Sequence, residues 1–199
     1  MKPFPIDSAI ATLGAALADR PLPLIEAMRV KGESPFKILI ATLLSLRTKD
    51  SITAQVAPQL FALADTPQTM LKLAPRAVER AIYRAGFHRK KARVILAVCR
   101  QLVDCFNGQV PADLNLLLSL PGVGRKTANL VLSAAFGLPG LCVDVHVHRI
   151  SNRWGYVRTQ TPEATETALR RNLPFRHWAE YNRLLVTLGQ TVCLPTSPW

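Results

Sequence analysis

Apolar residues recur every three to four positions along nearly the whole chain, the repeat of helices that each bury one face. DSAIATLGAALADR reads as a helix started by an Asp7 or Ser8 cap. PFKILIATLLSL is a second helix, with Pro35 at its first position after Ser34. DSITAQVAPQLFALA continues the pattern, with a disturbance expected at Pro58, which cannot donate a helix hydrogen bond. TPQTMLKLA and APRAVERAIYRAG are two short helices, each opened by a proline, the second stopping at Gly86. RKKARVILAVCRQLVDCF is a long amphipathic run that ends at Asn107-Gly108, and ADLNLLLSL is a short helix capped by Asp113 or Ala112. KTANLVLSAAFG follows a glycine turn, and DVHVHRISNRWGY fits helix or strand by alternation alone. TPEATETALRRNL opens on the start signal Thr161-Pro162-Glu163, and RHWAEYNRLLVTLGQTVC comes last. No strand ladder, internal repeat or low-complexity segment stands out, so the expected fold is all-α. No linker rich in Gly, Ser or Pro divides the chain, so close-packed helices must cross any domain boundary.

Composition narrows the function classes. The chain has 199 residues, 49% hydrophobic and 19% charged, enough for one large domain or two small ones and unlike a disordered chain. Lys and Arg total 25 against 13 Asp and Glu, a net charge of +12 that favours a polyanionic partner. Between nucleic acid and anionic membrane the second is disfavoured. No uninterrupted apolar run approaches the ~20 residues needed to span a bilayer. The opening MKPFPIDSAIATLGAALADR lacks a basic segment followed by a continuous apolar one, so a soluble, intracellular protein is expected. Cys99, Cys105, Cys142 and Cys193 show no C-x-x-C spacing and read as reduced thiols, the first three in the core.

The stretch LSLPGVGRKTANLVL, residues Leu118 to Leu132, carries the candidate chemistry. It reads as helix, hairpin, helix. Gly122 and Gly124 permit positive φ and close approach by another backbone. The amides of residues 122 to 125 precede a helix N-terminus, where outward N–H groups and the helix dipole favour an anion. Such a pocket would hold a phosphate and read no base. The G-x-x-x-x-G-K-[ST] spacing of a nucleotide triphosphate loop is absent. A tight helix corner with solvated Arg125 and Lys126 is the alternative, and the net charge tips the balance toward DNA.

LPGVGRKTANLVL, followed by CVDVHVHRISNR, resembles the helix-hairpin-helix DNA glycosylases of the endonuclease III type, members of the HhH-GPD superfamily. The likeness extends to PFKILIATLLSLRTKD, AGFHRKKARVI, NGQVPADLNLLLSL and LGQTVCLP, nearly the whole chain. It implies a bifunctional base-excision repair enzyme that removes oxidised pyrimidines and then cleaves the abasic strand. It also implies two interleaved helical lobes. Residues 27–137 form a six-helix domain ending in the hairpin, and residues 1–26 with 138–199 form the other. The cleft between them has Lys126 on one wall and Asp144, 18 positions later, on the other. The chemistry suits these residue types. An amine that attacks C1′ yields an imine with the opened sugar, which acidifies the C2′ proton and permits β-elimination of the 3′ phosphate; a hydroxyl or water stops at base removal. The amine must be neutral to attack, and a free lysine at neutral pH is so at a level on the order of 10⁻³ to 10⁻⁴. For Asp144 the resemblance implies a proton acceptor that also stabilises positive charge on the sugar. From the residues alone, Asp144 also fits a helix N-cap before VHVHRI.

The same resemblance implies DNA contacts from Gly122, Val123, Gly124, Arg125 and Thr127 of the hairpin and from Arg47, Thr48 and Lys49 of SLRTKD. It implies others from Phe87 and His88 of GFHRKK and from His146 and Arg149, with His148 and Arg153 nearby. The target base must leave the duplex before C1′ is reachable, and something must fill the gap. The family uses glutamine where this chain has Arg47, which can hydrogen-bond to and stack on the orphaned base. Phe87 or His88 is the second wedge; otherwise Phe87 packs in the core and His88 is solvated. The family's V-D-T-H is V-D-V-H here, with Val145 replacing a hydroxyl. His146 and His148 have H-x-H spacing but no third ligand nearby, so no zinc is expected. The family also holds a [4Fe-4S] cluster on C-x6-C-x2-C-x5-C. Cys193 is the first cysteine of that pattern, and the second is due one position past Trp199. No cluster is expected in this 199-residue chain, and one is expected if the natural chain continues. The implied partner is double-stranded DNA with damaged bases or abasic sites, with a monomer the simplest state. The implied location is DNA-associated, in cytoplasm or nucleoid for a bacterial or archaeal source. Two rivals remain. A monofunctional glycosylase of the same superfamily would lack the hairpin lysine, and a non-catalytic DNA-binding module would leave the spacing of Asp144 unexplained.

Overall fold

The computed structural model describes residues 4–138 and 140–196. These residues form twelve α-helices and one 3₁₀ turn, with no strand among them. The helices are α1 (Ile6–Ala16), α2 (Leu24–Val30), α3 (Pro35–Ser45), α4 (Asp50–Leu63), α5 (Pro67–Met70), α6 (Pro75–Ala81), α7 (His88–Phe106), α8 (Leu114–Leu118), α9 (Arg125–Phe136), α10 (Val145–Arg153), α11 (Pro162–Asn172) and α12 (Trp178–Thr191). The 3₁₀ turn is Phe175–His177. Two compact units result: Leu24–Leu138, and Met1–Pro23 with Pro139–Trp199. No helix of the described residues is long and apolar enough to cross a membrane.

The Leu24–Leu138 unit is built around α3. Ser34 caps this helix, accepting a hydrogen bond from the Lys37 amide at 3.3 Å, and Pro35 takes its first turn. Residues 38 to 44 are all buried, which is why PFKILIATLLSL reads as a continuous apolar run. Leu39, Ile40, Leu43 and Leu44 meet Val56 and Leu60 of α4, Ile95, Val98 and Leu102 of α7, and Ala128 and Val131 of α9. Each such leucine or isoleucine, fully buried, contributes roughly 1.5–3 kcal/mol of transfer free energy.

Several expectations change here. Helix α4 runs unbroken through Pro58, because one missing donor is outweighed by the burial of Val56, Ala57 and Leu60. Helix α6 stops at Ala81, well before Gly86. Buried Ile82 and Ala85 pull the chain into turns, and the Gly86 amide donates to Thr48 Oγ1 at 3.1 Å. Helix α2 was not expected; Ile25 and Met28 anchor it on Ile38, Ala41 and Ala134. Cys105 is exposed, contrary to the core position expected of it. Six residues on at 3.6 per turn, it lies about 240° around α7 from buried Cys99.

In the other unit, Ile6 and Ile10 of α1 pack with Val147 and Ile150 of α10, Leu169 of α11, and Tyr181, Leu184 and Leu185 of α12. The DVHVHRISNRWGY segment is helical. Thr161 caps α11, accepting from the Ala164 amide at 3.2 Å. Asp7 is not the cap of α1. Pro5 holds that position, and the Asp7 carboxylate instead accepts from Arg176 Nη2 at 2.7 Å and pairs with His177 Nε2 at 2.6 Å.

Candidate nucleic-acid interface and active site

Helix α8 starts at Asp113, whose Oδ1 accepts from the Leu116 amide at 2.9 Å, and the hairpin follows. The two hairpin glycines do different jobs. Gly122 has φ +73, and a Cβ there would lie 2.8 Å from Val94 Cγ1, so the chain itself demands glycine. Gly124 has φ −95 and ψ 175, extended backbone open to any residue, and its added Cβ would meet nothing within 4 Å. The expectation of left-handed freedom therefore holds for Gly122 and not for Gly124. Gly124 is the N-cap of α9 and supplies no side-chain acceptor to that helix. Val123 is buried and offers only backbone to a ligand. Arg125 and Lys126 are exposed on the first turn of α9. Thr127 is buried, because it shares the core-facing stripe with Ala128 and Val131. Its side chain is thus turned away from the DNA contact expected of it.

The loops at Arg47 and Phe87 form a second feature of this unit. Both residues are left-handed, φ 52 and φ 57, at a steric cost of roughly 1–2 kcal/mol each. Both are exposed, Phe87 at 62%, so it does not pack in the core. The Arg47 guanidinium lies over the Phe87 ring, 6.0 Å from its centroid. Together with Lys90 and Gly122 they line a cleft of about 450 Å³. His88 begins α7 and is half-buried, and Lys49 is exposed ahead of α4. Thr48, expected at DNA, has its hydroxyl committed inside the protein, to the Gly86 amide and to Lys91 Nζ at 2.6 Å. Lys91 also donates to Leu44 O at 2.5 Å, and burial pushes its ammonium down to about 8. Sequence reasoning passed over Lys91. Its signal was position: Lys91, Ile95, Val98 and Leu102 share one helical stripe.

Asp144, Cys193 and the histidines belong to the other unit. Asp144 is buried and caps α10, its Oδ1 accepting from the amides of His146 and Val147, both at 2.9 Å. Val145, the position of the missing threonine hydroxyl, is 64% exposed beside it. Arg149 is turned inward, unlike the phosphate contact expected of it. Its Nη2 reaches His146 Nδ1 at 3.1 Å, Gly189 O at 3.2 Å and Cys193 O at 2.7 Å, and its Nε is buried without a partner. Gly189 is glycine for space, since a Cβ there would strike the His146 ring. Arg153 Nη1 donates to Cys193 Sγ at 3.1 Å and Leu194 O at 2.7 Å, and Nη2 to Pro195 O at 2.7 Å. His148 pairs with Thr165 Oγ1 at 2.7 Å. These cations tie α10 to the segment after α12. Among the described residues no three His, Cys, Asp or Glu side chains gather as a metal site. Of Cys99, Cys105, Cys142 and Cys193, Cys193 alone falls on the cluster spacing, so the residues present do not supply its four thiolates.

A family model described as "HhH-GPD superfamily base excision DNA repair protein" matches residues 40–175. Endonuclease III of Thermotoga maritima is 46% identical over 168 residues, 84% of this chain and 79% of that protein. Endonuclease III of Escherichia coli K12 is 38% identical over 165 residues, 83% of this chain and 78% of that one. Among solved structures, a trapped endonuclease III–DNA covalent intermediate superposes with a TM-score of 0.87 at 34% identity, covering 97% of this chain and 88% of its own. A thermostable thymine-DNA glycosylase, at 22% identity and a TM-score of 0.79, shares the fold over 96% of this chain and 89% of its own.

Proposed function

The chain belongs to the HhH-GPD superfamily of base excision DNA repair proteins, and from that premise we propose how its residues divide the work. The protein is a DNA glycosylase with AP lyase activity that acts on DNA. Its substrates are oxidised pyrimidines in duplex DNA and the abasic sites left behind.

Lys126 is the nucleophile. Its neutral amine attacks C1′, the C1′–base bond breaks, and the base leaves with the electron pair and takes up a proton. Ring opening gives an imine between Nζ and C1′. Loss of the C2′ proton expels the 3′ phosphate, and water releases the amine. Asp144 accepts a proton during attack and stabilises positive charge on the sugar, while its two amide hydrogen bonds hold the carboxylate in one orientation. The observation that carries the reading is the position of Lys126, exposed on the first turn of α9, directly after the glycine turn. A phosphate seated on the amides of residues 122 to 125 would fix the strand's register against that amine. Arg125 adds charge there, and Arg47 and Phe87 fill the space that the flipped nucleotide leaves. Cys193 would be the first ligand of a [4Fe-4S] cluster in a natural chain continuing past Trp199, and no step above depends on one.

Borohydride reduction of the imine tests this. The protein should become covalently attached to DNA bearing an abasic site, and Lys126→Ala should abolish attachment while DNA binding stays measurable. Equal trapping without Lys126 overturns the assignment. Strand cleavage without added base or heat separates the lyase from a monofunctional enzyme.

A further inference from the structure

Lys91 has no part in the bond-breaking steps, yet it holds a buried ammonium. Burying a cation is unfavourable unless its donors are satisfied. Here the acceptors are neutral and strategically placed. Leu44 O belongs to the last turn of α3, where carbonyls lack a helical partner and the dipole favours a cation. Thr48 Oγ1 takes both the Lys91 ammonium and the Gly86 amide, so one hydroxyl joins the 46–49 loop to the residue before Phe87 and to the first turn of α7. A Cβ on Gly86 would lie 2.8 Å from Arg47 O, so the loops are in backbone contact as well. On either side of this knot sit Arg47 and Phe87, both left-handed without being glycine. Such backbone persists only where the surroundings over-determine it. What the knot presents is an exposed guanidinium stacked over an exposed ring.

We propose that Lys91 is a positioning residue for strand opening: its ammonium locks the Arg47 and Phe87 loops so that the stacked pair enters the duplex as one unit. This rests on the reading above that Arg47 and Phe87 fill the vacated space. A purely structural lysine would behave differently. Its loss would slow duplex and single-stranded substrates alike, whereas loss of a positioning lysine slows only the reaction that needs strand opening. Either loss lowers stability, because Leu44 O and Thr48 Oγ1 are left without the ammonium.

The experiment compares Lys91→Met, Phe87→Ala and the double variant. Opening is read from 2-aminopurine fluorescence beside a damaged pyrimidine in duplex DNA, with single-turnover excision from the same duplex. Cleavage of a single-stranded oligonucleotide carrying an abasic site, where nothing has to be flipped, is the reference. Lys91→Met should slow opening and duplex excision by about 10- to 100-fold, the worth of hydrogen bonds to a charged group. It should lower the melting temperature but, in assays well below that temperature, leave single-strand cleavage unchanged. In the Phe87→Ala background it should add no more than about two-fold, because both act through one unit. If Phe87→Ala leaves opening intact, the wedge reading fails and the proposal with it. If Phe87→Ala impairs opening and Lys91→Met does not, the wedge stands and the positioning role is overturned. Full additivity, or equal slowing on duplex and single strand, also overturns it. Should Lys91→Met fail to fold, Lys91→Gln, which keeps an amide donor, carries the same comparison with a smaller loss.

Discussion

Gly124→Asp should stabilise the protein and weaken its grip on DNA. The position has extended backbone and open space around the added Cβ, so aspartate fits without strain. It is also the N-cap of α9, where glycine offers no side-chain acceptor and aspartate ranks among the best caps, by a few tenths of a kcal/mol. The helix dipole adds about 0.3–1 kcal/mol, and the stiffer unfolded chain contributes with the same sign. A net gain of about 0.5–1.5 kcal/mol should raise the melting temperature by roughly 1–6 °C in a chain of this size. The new carboxylate would occupy the phosphate seat. Without charge-assisted hydrogen bonds worth about 1.5–3 kcal/mol, binding weakens by about 10- to 100-fold. Damaged and undamaged duplexes should suffer alike, since phosphate contacts carry no sequence information. The slope of log K against log salt should flatten by about 0.9 for each phosphate that the protein no longer neutralises. Gly122→Ala is the mirror experiment. Left-handed backbone costs alanine about 1–2 kcal/mol, and the methyl must displace Val94 at roughly 0.5–1.5 kcal/mol more. The melting temperature should fall by about 3–14 °C. Thermal unfolding by circular dichroism and fluorescence anisotropy at several salt concentrations read both variants. If Gly124→Asp leaves affinity and slope unchanged, the turn is a helix corner and no phosphate sits there.

Asp144→Asn should keep the cap of α10 and the melting temperature but lower excision by about 10²–10⁴-fold, whereas Asp144→Ala also loses about 1 kcal/mol of cap; full turnover by the asparagine variant leaves Asp144 as a cap alone. Burial disfavours the charged His177, but hydrogen bonds to Asp7 Oδ1 at 2.6 Å and Glu180 Oε1 at 2.9 Å outweigh it and raise the group above its ordinary 6.5. The folded state thus binds the proton more tightly, so this contribution is complete below about pH 6.5 and is lost as pH rises through the raised value. Urea midpoints of the protein and of His177→Gln should converge as pH rises from about 6 to 9, and a constant gap refutes the pairing. A disulfide reagent should label exposed Cys105 first, while buried Cys99, its thiol pushed up to about 12, reacts only on unfolding; early labelling of Cys99 contradicts its place in the core.

What local physics controls could be read from the chain alone. Ser34, Asp113 and Thr161 each accept from an amide three residues ahead, so a short stretch of chain suffices to place those helix starts. The hairpin is equally local, but the choice of Lys126 and Asp144 as catalytic candidates came from the family resemblance, since local pattern alone also fits a solvated lysine and a helix cap. Packing settled the rest, because the partners lie far along the chain. Asp7 does not cap its own helix because His177, 170 positions away, takes its carboxylate. Arg149 is drawn inward by Cys193 O, 44 positions on, where sequence made it a phosphate ligand. Which glycine of the hairpin is obligatory depends on Val94, a residue of α7 that lies outside the hairpin stretch and 28 positions before Gly122. Lys91 sits among the cations of HRKKAR and is told apart from them only by burial against Leu44 and Thr48, 47 and 43 positions back. A charge's role depends on the dielectric and the acceptors around it, and those are assembled only when distant helices pack.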